Sequence, residues 1–143
     1  MAEPPGRVLA LDLGEARIGL AISDPDRTVA LPAGTIKVSG GVEDLKAVAR
    51  LVGETGAADV VVGHPLSLSG ERGPAARRAE EFAEGLRLLL QVPVHLQDER
   101  LSTVEADRGL RTAGAGGRER RRAVDAAAAG VILESFLARD RVD

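Results

Sequence analysis

The segment from Arg7 to Gly14 constrains the fold of this chain more than any other. Apolar residues occupy both its odd and its even positions: Val8, Leu9, Ala10, Leu11 and Leu13. A strand that is apolar on both faces belongs in the middle of a sheet that is covered on both sides, whereas a half-exposed strand alternates apolar and polar residues. We therefore predict an α/β fold in which this segment is a central strand.

The remaining apolar patterns divide the chain into further strands and helices. Strands are predicted at about 7–14, 18–23, 29–38, 58–63 and 92–97. The first three are joined by short turns, such as Asp24-Pro25-Asp26, and should form an antiparallel meander. Strands that are separated by helices are expected to be parallel, through right-handed crossovers. The sequence thus predicts a central mixed five-stranded sheet flanked by helices on both faces.

Four helices are predicted around this sheet. The first carries apolar residues at helical spacing from Leu45 to Val52, and the second begins near Pro74, which suits a first helical turn. A third helix should begin at Ser102, because Ser102 and Glu105 form the S-x-x-E pattern of a capping box. A last helix is predicted from about Arg120 to Leu137.

The length of 143 residues suits one domain, which buries roughly 70% of its unfolded surface. No repeat and no interdomain linker is visible in the sequence. We predict a single domain over 1–143, with an N-terminal tail at about 1–6. A flexible loop is predicted at about 114–119, where Gly114, Gly116 and Gly117 interrupt the pattern.

Composition narrows the class of protein. The chain has no cysteine, which excludes disulfides and thiolate metal sites. No apolar run approaches the roughly 20 residues that span a bilayer, and the N-terminus does not resemble a signal peptide. We therefore expect a cytoplasmic protein without membrane contact. The net charge of −3 conceals a basic segment, because six arginines and one acid lie between Arg108 and Arg122.

Three acidic residues stand out against apolar surroundings. Asp12 interrupts the central strand, where an ionised carboxylate is costly to bury unless it is paired, hydrogen-bonded or bound to a cation. Glu99 ends the fifth strand, and ligands of open α/β sheets gather beyond the carboxyl ends of strands. Asp125 should point towards the sheet, because the positions that share its helical face are apolar. Those positions are Ala128, Ala129, Ile132 and Phe136.

Each acid also has a purely structural interpretation. Asp12 would cap the turn at Gly14 through backbone amides. The triplet Asp98-Glu99-Arg100 would be a polar strand end with a local ion pair. Asp125 would be a buried N-cap, although the last helix is predicted to start before it.

Three inward carboxylates need a physical reason to coexist. Two such charges ~4 Å apart repel by about 4 kcal/mol at an effective dielectric constant near 20. No lysine lies in these segments, and a hard divalent cation would neutralise them; oxygen ligands favour Mg²⁺ or Mn²⁺. Zinc is not expected, because neither His64 nor His95 has a partner at zinc-ligand spacing. The sequence also lacks the G-x-S-x-G elbow of hydrolases and the P-loop of nucleotide-binding proteins.

Four blocks of the sequence follow one another over nearly the whole chain. They are Leu11-Asp12-Leu13-Gly14 with Arg17-Ile18-Gly19, then Val62-Gly63-His64-Pro65-Leu66 with Gly70, then 97–106, and finally 124–129 with 132–135. In these blocks the chain resembles the YqgF/RuvX family, which is described both as Holliday junction resolvases and as pre-16S rRNA nucleases. The block Asp98-Glu99-Arg100 with Ser102-Thr103 is the most specific of the four.

The resemblance implies an RNase H-like fold and a catalytic, metal-binding set at Asp12, Glu99 and Asp125. It also implies a nucleic-acid substrate and a role in maturing the precursor of the small-subunit ribosomal RNA. Three positions depart from the family pattern. His64 stands where an apolar residue is usual, Ser69 where an aspartate is frequent, and Ala123 where a basic residue is common. None of these departures touches the acids, so they bear on substrate handling.

The expected reaction is phosphodiester hydrolysis assisted by one or two Mg²⁺ or Mn²⁺ ions. Arg17 and Arg100 are candidates to hold the scissile phosphate, with surface salt bridges as the equal alternative. Further nucleic-acid-binding candidates are Ser102, Thr103, Arg118, Arg120, Arg121 and Arg122. The arginines would contact backbone phosphates without reading the base sequence. The expected partner is structured or precursor rRNA, or branched or single-stranded DNA, and the protein would be a monomer or a homodimer.

Two other classes of function stay open at the level of sequence. Asp12-Leu13-Gly14 followed by Gly19 also resembles the phosphate loop of actin-like and hexokinase-like ATPases, but those proteins need two such domains. The chain would alternatively be a non-catalytic ribosome-assembly factor that binds RNA through its arginines, although its intact acids argue against this. RNA processing and junction resolution are not distinguished by the sequence.

Overall fold

The computed structural model describes residues 3–99 and 117–142, with the side chains of the last helix described over 126–139. The strands are β1 (Val8–Leu13), β2 (Arg17–Ser23), β3 (Ala30–Lys37), β4 (Asp59–His64) and β5 (Val94–Asp98). The helices within this part of the chain are α1 (Gly41–Thr55), α2 (Pro74–Leu89) and α3 (Gly117–Val142).

The five strands form one sheet in the order β3-β2-β1-β4-β5. β1 and β2 are antiparallel, as are β2 and β3, which confirms the predicted meander. β1 pairs in parallel with β4, and β4 pairs in parallel with β5. The predicted mixed sheet with a central β1 is therefore confirmed, and the carboxyl ends of β1, β4 and β5 meet at one edge.

Two apolar cores lie on opposite faces of this sheet. Leu9 and Leu11 pack with α1 and α2 on one face, whereas Val8 and Ala10 pack with α3 on the other. These four side chains of β1 are at most 2% exposed. The alternation follows from the pleat of the strand, which sends successive side chains to opposite faces. It explains why this strand is apolar at every position from 8 to 11.

The ends of α1 show why the helix begins and ends where it does. The carboxylate of Asp44 accepts hydrogen bonds from the backbone N–H groups of Ser39 (2.8 Å) and Gly40 (2.9 Å) just before the helix. At the other end Gly56 adopts a left-handed conformation (φ 69°), and its N–H donates to the carbonyl of Val52. Such a C-terminal glycine satisfies carbonyls that the helix leaves unpaired.

The predicted bounds of the last helix, about Arg120 to Leu137, differ from the structure. α3 runs from Gly117 to Val142, so positions 117–119 of the predicted flexible loop are helical. Arginine and glutamate are good helix formers, which allows the helix to start before Arg120. The helix predicted from Ser102 lies outside the described residues.

The predicted N-terminal tail is fixed at its end. The N–H of Gly6 donates to the carbonyl of Pro25 at 2.9 Å. The guanidinium of Arg27 donates to the carbonyl of Gly6 at 2.8 Å and to the carboxylate of Asp59 at 2.6 Å. Among the described residues, no helix is both long enough and apolar enough to cross a membrane.

Candidate active site

Asp12 and Glu99 approach the same edge of the sheet from two strands. Asp12 follows Val8 and Ala10 in the alternation of β1, which places it on the α3 face. Glu99 follows directly on β5, and its N–H donates to the carbonyl of His64 at the end of β4 (3.3 Å). Both acids are half-buried. The sheet thus brings together two of the three acids that the sequence singles out.

The carboxylate of Glu99 occupies the space that a side chain at position 63 would fill. A Cβ atom built on Gly63 would lie 2.0 Å from Oε2 of Glu99 and 2.5 Å from Cδ1 of Ile132. Gly63 is paired with Gln97 of the neighbouring β5, so the register of these two strands sets this approach. A glycine within a strand often marks such a site of close approach.

The surroundings of Glu99 disfavour its negative charge. Burial of the carboxyl group, together with the charges of Asp12 and Asp98, raises the pKa of Glu99 from its ordinary 4.5 to about 8. Its buried Oε2 atom has no hydrogen-bond partner within the described part of the chain. A buried oxygen of this kind costs free energy unless it gains a proton, a donor or a cation.

The donor atoms of these residues are of the kind that binds a hard divalent cation. Asp12 and Glu99 offer carboxylate oxygens, which Mg²⁺ and Mn²⁺ prefer. No group of three His, Cys, Asp or Glu side chains suited to a metal occurs among the described residues. Asp125 lies in α3, but its side chain is outside that set. The prediction that Asp125 completes the acidic set therefore stays a prediction.

The spacing of the buried residues in α3 is relevant to the prediction for Asp125. The described hydrophobic residues that α3 buries are Ala126, Ala128, Ala129, Ile132, Leu133, Phe136 and Leu137. This confirms that the apolar positions three, four, seven and eleven residues after Asp125 are buried. Position 125 lies one turn before Ala128 and Ala129 on the same face of the helix.

The structure describes only some of the residues that are predicted to bind nucleic acid. Arg17 begins β2 and is half-buried, and its carbonyl accepts the N–H of Gly14 at 2.9 Å across the turn that follows Asp12. Arg100, Ser102 and Thr103 lie outside the described residues. The remaining arginines lie in the first turns of α3, and their side chains are likewise outside: Arg118, Arg120, Arg121 and Arg122.

A polar cluster that the sequence does not predict forms around His64, at the end of β4. The Nε2 atom of His64 lies 2.6 Å from Oε2 of Glu80 on α2, and Arg72 also donates to that carboxylate. Hydrogen bonds from Arg72 and His64 lower the pKa of Glu80 from 4.5 to about 2. The cluster fastens the loop after β4 to α2. Only the unusual histidine signalled it in the sequence.

Comparison with known proteins gives concordant matches. The family model described as "RuvX: Holliday junction resolvase" matches residues 6–139. A relative from Thermobifida fusca is 50% identical over 93% of this chain and 87% of its own. A second, from a Roseiflexus species, is 40% identical over 99% of this chain and 100% of its own. Both carry the name "Putative pre-16S rRNA nuclease".

Among solved structures, RuvC of T. thermophilus in complex with a Holliday junction substrate superposes with a TM-score of 0.54. The match covers 94% of this chain and 96% of that chain, at 17% sequence identity. At this identity the likeness shows the fold alone. It confirms the RNase H-like fold that the sequence predicts.

Proposed function

Since this chain belongs to the RuvX family of RNase H-like proteins, we propose that it is a metal-dependent nuclease that matures the precursor of 16S ribosomal RNA. Its curated relatives carry a name with that substrate. The reaction is hydrolysis of a phosphodiester bond, and the catalytic residues are Asp12, Glu99 and Asp125.

The observation that carries this proposal is the state of the Glu99 carboxyl group. It is held against Gly63 with a buried oxygen that lacks a partner in the described part of the chain, and the charge of Asp12 acts on it. This arrangement would be unfavourable in a purely structural role, because the carboxylate of Asp12 opposes ionisation of the neighbouring Glu99. Strongly shifted pKa values of this kind cluster at functional sites.

The residues of the site have separate tasks. Asp12, Glu99 and Asp125 would hold Mg²⁺ or Mn²⁺, and Glu99 would give up its proton on becoming a ligand. When bound, the ion would supply activation of the attacking water and neutralisation of the charge on the leaving oxygen. Arg17 and Arg100 orient the scissile phosphate, and the arginines at the start of α3 hold the backbone on either side.

The test compares Asp12→Asn with Asp26→Asn, an exposed aspartate in the turn between β2 and β3. Both proteins are given an end-labelled precursor rRNA fragment with Mn²⁺. We expect Asp12→Asn to lose at least about 100-fold in cleavage rate, since loss of an outer partner of a metal ligand alone costs 10–100-fold. The control should cut normally, and EDTA should stop both. Undiminished cleavage by Asp12→Asn would refute the proposed centre.

A second candidate is resolution of four-way DNA junctions, favoured by the description of the matching family model. A junction has two equivalent strands, so its resolution calls for a symmetric dimer. Cleavage rates on a precursor rRNA fragment, on single-stranded DNA and on a four-way junction, measured with the oligomeric state, separate the two substrates. Tight RNA binding without metal-dependent cleavage would instead indicate an assembly factor.

A further inference from the structure

A cavity of about 600 Å³ opens between α1, α2 and the turn that joins β1 to β2. This volume lies in the range of sites for small molecules and cofactors. Its lining is mixed. The apolar part includes Val38, Leu45 and Phe82, and the charged part includes Glu15, Arg78 and Glu81.

Arg78 is the informative residue of this lining. It is half-buried on α2, yet its side chain forms no hydrogen bond or ion pair with any other residue that the structure describes. The side chains of Glu15 and Glu81 likewise form no hydrogen bond or ion pair with any residue in the described ranges. A guanidinium carries five N–H donors in a fixed fork, and partial burial without acceptors is unfavourable. Asp44 also lines the cavity, but its carboxylate already accepts the N–H groups of Ser39 and Gly40. The side chains without partners are therefore one donor fork, from Arg78, and two acceptor carboxylates, from Glu15 and Glu81.

The cavity lies close to the acids of the candidate active site. Glu15 is three residues after Asp12, so their Cα atoms are at most about 11 Å apart. The N–H of Val38 donates to the carbonyl of Ala16 at 2.9 Å, which fixes this turn against the end of β3. Asp12 is on the α3 face and the cavity is on the α1 and α2 face, so the turn separates two neighbouring sites at one edge of the sheet.

We propose that this cavity binds an unstacked guanine base of the substrate strand, within one or two nucleotides of the bond that is cut. The assignment rests on the proposed function, since it takes a nucleic-acid strand to cross the active site. Proteins recognise single-stranded RNA by stacking splayed bases on aromatic or guanidinium planes and by hydrogen-bonding their edges.

Guanine matches the lining best among the four bases. Its O6 and N7 atoms form an acceptor pair that an arginine contacts with two hydrogen bonds. Its N1–H and N2–H groups form a donor pair that suits one carboxylate, from Glu15 or Glu81. Uracil and cytosine lack the N7 acceptor and the N1–H and N2–H donor pair, and adenine lacks the O6 acceptor. The ring of guanine would pack against Phe82 and Leu45.

The first experiment measures binding without cleavage. Guanosine 5′-monophosphate, uridine 5′-monophosphate and ribose 5-phosphate are titrated into the ¹⁵N-labelled protein in EDTA. We expect saturable shifts of the amides of Glu15, Val42 and Glu81 with the guanosine nucleotide, and affinity at least about tenfold weaker for the other two. Equal binding of all three would overturn the assignment, because it would indicate a phosphate site.

Matched variants then test the residues. Arg78→Gln and the double variant Glu15→Gln/Glu81→Gln should each weaken binding of the guanosine nucleotide about tenfold, whereas Arg77→Gln, an exposed neighbour on the same helix, should not. Thermal unfolding checks that each variant is folded. Unchanged binding in both Arg78→Gln and the double variant would overturn the proposal.

A cleavage assay distinguishes failure of this inference from failure of the proposed function. With an RNA in which inosine, which lacks the N2 amino group, replaces guanosine near the cut, we expect KM to rise about tenfold at constant kcat. If the protein binds guanosine monophosphate as described but cuts no nucleic acid, the base site stands and the nuclease proposal fails. If it cuts RNA with no response to guanine, the nuclease stands and the base site fails.

Discussion

At the scale of single residues, the contact between Gly63 and Glu99 is the most sensitive point of the candidate site. We expect Gly63→Ala to lose about 100-fold in cleavage, because the new Cβ would lie 2.0 Å from the Glu99 carboxylate and displace a metal ligand. The control is Gly53→Ala on α1, whose Cβ would meet nothing within 4 Å. That change should leave activity intact and stabilise the helix by about 0.5–1 kcal/mol. Normal activity in Gly63→Ala would contradict the geometry.

The titration of Glu99 predicts an unusual dependence of stability on pH. Its pKa is about 8 in the folded protein against 4.5 ordinarily, so the folded state keeps a proton that the unfolded chain releases. The contribution of this group to the free energy of unfolding should be highest below pH 4.5 and should fall as the pH rises to about 8. In EDTA, Glu99→Gln should lose this dependence and unfold at a higher temperature than the wild type at pH 8. Parallel melting curves for the two proteins would refute the shift.

The sequence pattern predicts the acidic residues of the site but not the environment of their carboxylates. Asp12 is visible because a charge interrupts an apolar strand, and Glu99 because it ends one. Gly63 is visible only as part of a motif, since its function depends on the pairing of β4 with β5. The raised pKa of Glu99 depends first on its burial and then on the charges of Asp12 in β1 and Asp98 in β5. No local window of sequence contains all of these. For Asp125 the sequence pattern alone carries the prediction.

At the scale of elements, Glu80 joins α2 to the end of β4 through His64 and to the following loop through Arg72. Because these hydrogen bonds lower the pKa of Glu80 to about 2, their contribution to stability is present above pH 4.5 and is lost as the pH falls towards 2. We expect Glu80→Gln to lower the melting temperature at pH 7, and the difference from wild type to shrink at pH 2–3. Glu54→Gln, an exposed acid on α1, serves as the control. A difference that does not change with pH would contradict this linkage.

The elements themselves are largely predictable because apolar periodicity decides them. All five strands and the helices α1, α2 and α3 occur where the patterns place them, with ends shifted by a few residues. The start of α3 is misplaced because three glycines suggest a longer loop, whereas the helix propensity of the following arginines begins the helix at Gly117. Contacts between elements, such as that of Glu80, require the assembled structure.

At the scale of the whole molecule, charge distribution governs how a nucleic acid would bind. The net charge is −3, while arginines concentrate before and within the start of α3. If these arginines neutralise phosphates, the logarithm of RNA affinity should fall linearly with that of the salt concentration. Replacing Arg118, Arg120 and Arg121 by glutamine should reduce the slope by about 0.7 for each phosphate that is no longer neutralised. The matched triple variant Arg50→Gln/Arg77→Gln/Arg87→Gln should leave the slope unchanged, and a salt-independent affinity would exclude such an electrostatic role.

The whole fold follows from the order of strands and helices, but the cavity does not. Its lining comes from the turn after β1, from the end of β3 and from both α1 and α2. These segments are far apart in the chain, and nothing in their local sequence marks them as neighbours. The fold alone also leaves the substrate open, since one RNase H-like scaffold supports several functions.

The position of α3 late in the chain has a consequence during synthesis of the protein. Val8, Ala10 and Val61 are fully buried only because this helix, the last described element, covers them. While the ribosome is still adding its 26 residues, which takes about 1–5 s, that side of the sheet is bare. On the proposed function, in which Asp125 is the third metal ligand, the nascent chain would become active only after translation has passed through α3.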